Sequence, residues 1–205
     1  MDQKLFSKLN LYDQIGFILV GVIGVLIIFF DAFYFYGAAL PVYNLELLPL
    51  WLVLSYFLGH IIQGTSNFIT DLPLLNSLIS ERKKEFKEDE KEILNKARQY
   101  FNVKKQDLSF IWNLCYVFAL AKDVTGHVEI FNANYSLYRG WFTIFLIESV
   151  FLVFIFFRES NFKNLIFLLI SILISAVLYR RAHRFWSYTR SKVLQTFIVV
   201  KTLNL

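Results

Sequence analysis

The sequence predicts an all-α integral membrane protein with four transmembrane helices and a small helical cytoplasmic insert. Hydrophobic residues make up 57% of the 205-residue chain, the mean hydropathy is +0.50, and only 18% of the residues are charged. A soluble domain is about 45–50% apolar and about 25% charged. This composition therefore argues against a cytosolic enzyme, a disordered chain and a disulfide-stapled secreted domain.

Four segments are long and apolar enough to cross a bilayer, which takes about 20 mostly apolar residues in a helix. They are residues 14–36, 47–69, 140–157 and 164–179. The first is too long for a signal peptide, and no small-residue cleavage motif follows it. These spans divide the chain into four parts. Residues 1–70 form an N-terminal arm with the first two spans, and residues 71–139 form the insert. Residues 140–179 hold the last two spans, and residues 180–205 form a tail.

The distribution of basic residues predicts the orientation of the spans. Of the 21 lysines and arginines, 19 lie in the N-terminal arm, the insert and the tail, and two lie in the loop between the third and fourth spans. The positive-inside rule places the basic regions in the cytoplasm. We therefore expect a multi-pass protein of the bacterial inner membrane with both termini cytoplasmic.

The insert is predicted to form a helical hairpin. Residues 80–100 are amphipathic, with opposite charges three or four positions apart, as in Glu81–Lys84, Glu88–Lys91 and Glu92–Lys96. Asp107 is a favourable N-cap for an apolar helix over 108–121, which is too short to span and suits either a core or the membrane surface. Residues 128–139 can run directly into the third span.

The tail combines basic and aromatic residues without any acid. One interpretation is attraction to anionic lipid headgroups, at about 1 kcal/mol per basic residue. The other is a site for a polyanion such as a nucleotide or nucleic acid, with arginines on phosphates and rings on bases. The residues predicted for this ligand site are Arg180, Arg181, Arg184, Arg190, Lys192 and Trp186.

Three ionisable residues, Asp31, His60 and Glu148, lie at membrane depth. Because a charge is costly there, such groups indicate an ion path, a pore or a polar lock between helices. The aromatic end of the first span suggests a gate that excludes water, formed by Phe29, Phe30, Phe33 and Tyr34, with an aromatic interface belt as the alternative. Small residues at 16, 21 and 24 in the first span and at 55 and 59 in the second predict close helix contacts, within or between chains.

No enzyme is predicted, because the sequence has no Walker loop, HExxH or GxSxG motif. The histidines lack metal-ligand spacing, and Cys115 lies in an apolar run that favours a core position. No cofactor and no metal site are expected. An intramembrane enzyme that uses Asp31, His60 or Glu148 remains an alternative.

Three motifs carry a resemblance: Gly59-His60-Ile61-Ile62-Gln63-Gly64, Tyr138-Arg139-Gly140 and Arg180-Arg181-Ala182-His183-Arg184-Phe185. The layout resembles small bacterial membrane proteins of anti-phage defence loci, in particular the membrane effector of Hailong-type systems. It is also similar to the small membrane protein of RNA-targeting CRISPR loci. The Hailong resemblance implies an oligomeric channel paired with a nucleotidyltransferase, whose DNA oligomer holds the channel shut.

The function predicted from the sequence is an oligomeric gated ion channel or pore-like effector that depolarises the membrane when a cytoplasmic signal changes. The expected partners are membrane lipid, further copies of the chain, an oligonucleotide ligand and a nucleotidyltransferase. A non-conducting membrane adaptor that recruits a cytoplasmic protein is the first alternative.

Overall fold

The computed structural model describes residues 11–40, 45–71, 86–103, 107–123 and 125–203, with side chains at all of these positions except 11–15, 70, 71 and 203. The described chain is all-helical, as predicted, and a short 3-10 helix at Leu45–Leu47 precedes its second long helix. The six α-helices are α1 Leu11–Tyr36, α2 Leu48–Asp71, α3 Glu88–Tyr100, α4 Leu108–Lys122, α5 His127–Arg158 and α6 Phe162–Leu203.

Four of these helices, α1, α2, α5 and α6, are long and apolar enough to cross a membrane. They contain the four predicted spans, so the chain is a multi-pass membrane protein. The shorter apolar helix α4 has 15 residues, too few to cross a bilayer core about 30 Å thick. The prediction of four spans and a short apolar helix is confirmed.

The last two helices extend well beyond their apolar stretches. Helix α5 begins at His127, so residues 128–139 run directly into the third span as predicted. Helix α6 has 42 residues without a glycine or proline, and at about 1.5 Å per residue it is roughly 60 Å long. The basic tail is therefore a continuation of the fourth membrane helix.

Helix α5 lies at the centre of the membrane portion. It packs along α6 on one side and against the α1–α2 pair on the other. Buried polar contacts join it to α6, where the hydroxyl oxygens of Ser149 and Ser171 lie 3.0 Å apart. On the other side, Gln63 of α2 donates through its side-chain amide to the Ser136 carbonyl of α5 at 2.8 Å.

Helices α3 and α4 pack on the final part of α6, and we call this pair of helices the α3–α4 module. The buried core between the module and α6 combines aliphatic and aromatic side chains from all three helices, with Val128 from the start of α5. The core residues are Leu94, Ala97, Ile111, Trp112, Cys115, Ala119, Val128, Val193, Leu194 and Phe197. Burial of this apolar surface is the main term that holds the module together.

The surface of α3 carries the predicted charge pairs. Lys91 contacts Glu88 at 2.9 Å, and Lys96 contacts Glu92 at 2.6 Å. The third predicted pair, Glu81–Lys84, lies outside the described residues. Each such pair adds only about 0.2–0.5 kcal/mol, so these contacts support the helix without determining where it docks.

Candidate functional site

The structure brings two of the three predicted membrane-depth residues together. Asp31 on α1 and Glu148 on α5 lie close enough for their carboxyl groups to interact, and Glu148 is 9% exposed, while the Oδ1 atom of Asp31 is buried without a hydrogen-bond partner among the described residues. Two ionised carboxylates repel each other, and a hydrogen bond between carboxyl groups needs a proton on one of them. This carboxyl pair is thus a place where a proton or a cation can be held within the membrane portion.

Buried hydroxyl groups continue from the carboxyl pair along the contact between α5 and α6. Ser149 and Ser171 both donate hydrogen bonds to the Phe145 carbonyl, at 2.7 and 3.0 Å. Thr143 and Ser175 are buried on the same two helices. Sequence reasoning missed these groups, although the four-residue spacing of Ser171 and Ser175 is the kind of signal that marks a helix contact.

His60 is not part of the carboxyl pair. Its ring stacks on Phe17 at 4.0 Å and meets the Tyr56 ring edge-on at 4.5 Å. Phe17 and Asp31 are 14 positions apart on α1, which separates them by about 20 Å. His60 therefore lies near the start of α1, whereas Asp31 and Glu148 lie near its end.

The four predicted gate residues lie at one end of the membrane portion. Phe29 meets the Trp51 ring at 5.2 Å, and the rings of Phe30 and Tyr34 both pack edge-on against Phe167 of α6. Phe29, Phe30 and Phe33 also line an apolar groove of about 450 Å³ between α1 and α2. Phe30 and Tyr34 therefore contact α6, whereas Phe29 contacts α2 and Phe33 lines the groove between α1 and α2.

The six predicted ligand residues of α6 fall into two groups. Arg180, Arg181 and Arg184 are exposed, and the Arg181 guanidinium lies 5.9 Å from the centre of the Tyr138 ring. They point away from the buried face of α6 and form a basic surface at the end of its apolar stretch. This surface is available to lipid headgroups and to a soluble polyanion alike.

Arg190 occupies a different environment. It contacts Glu90 of α3 at 2.5 Å, the two side chains being 13% and 14% exposed, and its guanidinium lies 4.5 Å from the Phe86 ring centre. Trp186 packs against the Trp112 ring at 6.1 Å. Both residues therefore help to attach the α3–α4 module to α6.

Lys192 is partly buried and lies near Asp123, at the end of α4. Burial raises the pKa of Asp123, but hydrogen bonds from Thr125 and from the Val128 amide outweigh it, and the positive charge of Lys192 adds to their effect. The pKa of Asp123 is therefore below its ordinary value. Asp123 accepts at 2.8 Å from the Val128 amide and so caps the first turn of α5.

A cavity of about 430 Å³ opens between α4, α5 and α6, beside Phe86, which precedes α3. Its volume is in the range of small-molecule sites, about 300–1,000 Å³. Aromatic rings and hydrogen-bonding groups share the lining, which consists of Phe86, Ser109, Trp112, Asn113, Tyr116, Asn132, Trp186 and Arg190. No sequence pattern indicates this cavity, because its lining residues come from three helices and from the segment before α3.

Comparison of the chain with protein-family models, with curated proteins and with solved structures gives no match. Among the residues that the structure describes, no group of three or more His, Cys, Asp or Glu side chains could hold a metal ion. The carboxyl pair, the exposed arginines and the module cavity are the candidate functional features of the described residues.

Proposed function

We propose that the protein is an oligomeric, gated ion channel or pore-like effector of a bacterial inner membrane. The observation that carries this proposal is the proximity of Asp31 on α1 to the buried Glu148 on α5, two acidic side chains on packed helices of the membrane portion. A single charge at the bilayer centre costs at least about 2.5–3.5 kcal/mol. Two acids in contact can join the helices by a hydrogen bond when one of them is protonated, and the same pair is suited to binding and passing a cation or proton.

The arrangement of helices supports an assembly of several copies. Helix α6 packs along α5, and its ring contacts with α1 are at Phe30 and Tyr34, so the four membrane helices do not close into a ring. A continuous ion path therefore needs surfaces from more than one chain. Large apolar side chains are exposed along α1, α2, α5 and α6 and can face lipid or a second copy.

Control from the cytoplasm is supported by the length of α6. One uninterrupted helix carries the packing surface for α5, the exposed Arg180, Arg181 and Arg184, and the seat of the α3–α4 module. A ligand or partner that shifts the module also moves α6, one continuous helix that reaches into the membrane. The aromatic contacts of Phe167 are at the far end of the same helix.

The biological setting of the proposal comes from the resemblance to Hailong-type effectors. In that setting an oligonucleotide made by a nucleotidyltransferase would control the channel, and opening would depolarise the cell during phage infection. The exposed arginines suit the phosphates of such a ligand, and the module cavity suits one of its bases.

Ion flux into liposomes tests the proposal. We expect the purified protein, or its Phe33→Ala variant if the wild type is closed, to dissipate a potassium diffusion potential read by a voltage-sensitive dye. Glu148→Gln keeps the shape of the side chain but cannot ionise, and it should reduce the flux about tenfold or more, which corresponds to about 1.4 kcal/mol in the barrier.

Glu159→Gln is the matched control, because Glu159 is exposed at the end of α5 and pairs with Arg158. Its flux should equal that of the wild type. Every variant is first shown to elute as the wild-type assembly in detergent. Failure of both wild type and Phe33→Ala to conduct would reject a channel, as would a monomeric protein.

A non-conducting adaptor is the second candidate, and the outer face of α4 favours it. Phe110, Val117 and Leu120 are exposed there at helical spacing, although the opposite face is buried in the module. Such an apolar stripe suits a partner protein. Wild-type oligomers that never conduct, but that bind a protein through this stripe, would establish the adaptor instead.

A further inference from the structure

A buried arginine outside the sites above lies at the boundary of the membrane portion. Arg139 of α5 is 7% exposed and directly precedes the apolar stretch that begins at Gly140. The absence of a side chain at Gly140 lets Val20 of α1 and Gln63 of α2 approach closely, since a Cβ there would lie 2.7 and 2.9 Å from their side chains. Three helices thus enclose the arginine.

The Arg139 guanidinium is held in place, but only some of its N–H donors have a hydrogen-bond acceptor. Gln63 donates to the Ser136 carbonyl at 2.8 Å and accepts from Nη2 of Arg139 at 3.4 Å, while the Tyr135 ring centre lies 5.1 Å from the guanidinium carbon. Arginine has five N–H donors. The Nε and Nη1 groups of Arg139 are buried without a hydrogen-bond acceptor among the described residues.

No acidic side chain within the described part of the chain pairs with Arg139, whereas the largely buried Arg190 of α6 pairs with Glu90. A buried cation without a counter-ion carries a large desolvation penalty. An anion bound beside it would offset that penalty and satisfy the remaining donors. The guanidinium is therefore the kind of group that selects an anionic ligand.

Arg139 lines a small cavity that suits a compact anion. The cavity measures about 110 Å³, roughly four times the 30 Å³ that a water molecule occupies in the liquid. Its other lining residues are mostly polar or small: Gly16, Phe17, Gln63, Asn67, Ala133 and Ser136. This space accommodates a tetrahedral oxyanion next to hydrogen-bonding side chains.

The position of the cavity favours phosphate over other anions. Tyr138 and Trp141 flank Arg139 on either side in the sequence, and aromatic residues of this kind mark the interface between lipid and water. The phosphate layer of a bilayer lies at this depth. Arginine forms strong charge-assisted hydrogen bonds with phosphate oxygens.

We propose that Arg139, positioned by Gln63, is the anchor of a phosphate-binding site between α1, α2 and α5. The phosphate belongs either to the headgroup of an anionic phospholipid or to a soluble phosphate compound. The site is separate from the exposed arginines of α6, and it does not depend on ion conduction.

Thermal unfolding in a non-ionic detergent, followed by tryptophan fluorescence, tests the site. Short-chain phosphatidylglycerol at a hundredfold excess over its Kd should raise the Tm of the wild-type protein by about 5 to 10 °C. Inorganic phosphate is the second ligand. A rise with both supports a soluble phosphate as ligand, and a rise with the lipid alone supports the headgroup.

Arg139→Met should abolish the rise. It should also increase the Tm without ligand, because it removes an uncompensated buried charge. Arg139→Gln serves as a second neutral variant if the first does not fold. Arg158→Met is the matched control, since Arg158 is exposed at the other end of α5, and it should keep the full rise.

Two control compounds separate phosphate binding from the effects of the acyl chains and of ionic strength. Short-chain diacylglycerol has the same acyl chains without phosphate, and potassium chloride matches the ionic strength. Equal rises with these two, no rise with either phosphate source, or a full rise in both Arg139 variants would overturn the proposal.

Discussion

Gly21 and Gly59 control how closely the first two membrane helices approach. A Cβ on Gly21 would lie 1.6 Å from the Ser55 carbonyl oxygen, and one on Gly59 would lie 1.9 Å from the Phe17 carbonyl oxygen. The backbones therefore touch at both positions. The prediction of close contacts from the small residues of these spans is confirmed within one chain for Gly21, Gly24, Ser55 and Gly59, but not for Gly16, whose Cβ position has no atom within 4 Å.

We expect Gly59→Ala to push α1 and α2 apart, because the new methyl group meets rigid backbone. The Tm in detergent should fall by several degrees, in line with about 1–3 kcal/mol for an overpacked site. Gly64→Ala is the control on the same helix, because no atom lies within 4 Å of its Cβ position. Equal Tm values for the two variants would contradict the close contact.

The arginines of α6 show the limit of residue-level prediction. Arg184 and Arg190 belong to one basic, aromatic run, and composition alone assigns them the same role. The structure separates them because Glu90, 100 positions away, pairs with Arg190. Only the docking of α3 on α6 decides which charge is available to a ligand.

At the scale of elements, α6 differs most from its predicted span. The apolar pattern predicts a membrane segment over 164–179, since charged residues follow it. A helix needs only unbroken backbone hydrogen bonds to continue, and α6 has neither glycine nor proline to interrupt it. Its buried face then changes from contacts with α5 to the module core, where Thr189, Val193 and Phe197 are covered.

The module core predicts the reactivity of the lone cysteine. Cys115 is fully buried, and burial raises the pKa of its thiol to about 11. At pH 8 the thiol is protonated and covered, so a maleimide should label native protein far more slowly than denatured protein. Equal labelling rates in the two samples would show that the module core is not formed.

Substitutions in α6 extend the same measurement. Phe197→Ala should speed the labelling of Cys115, because removing a fully buried ring costs about 3–5 kcal/mol. Ile198→Ala, which alters an exposed neighbour, should leave the rate unchanged.

At the scale of the whole molecule, the even number of membrane helices predicts that both termini lie on one side of the membrane. The positive-inside rule assigns that side to the cytoplasm. In a Cys115→Ala background, we expect Asn161→Cys, between α5 and α6, to react with an impermeant maleimide in intact cells. Ser187→Cys on α6 should react only after permeabilisation, and the opposite pattern would contradict this orientation.

Sequence alone determined the class of the protein, the four membrane helices and the identity of the ionisable groups at membrane depth. These follow from composition and from the length of apolar runs, since lipid imposes the same requirement on every spanning helix. Only the tertiary structure decided that Asp31 meets Glu148 while His60 does not, that Arg190 is paired, and that Arg139 is enclosed without an acid. Such pairings join residues far apart in the chain, and they depend on which helix faces pack together.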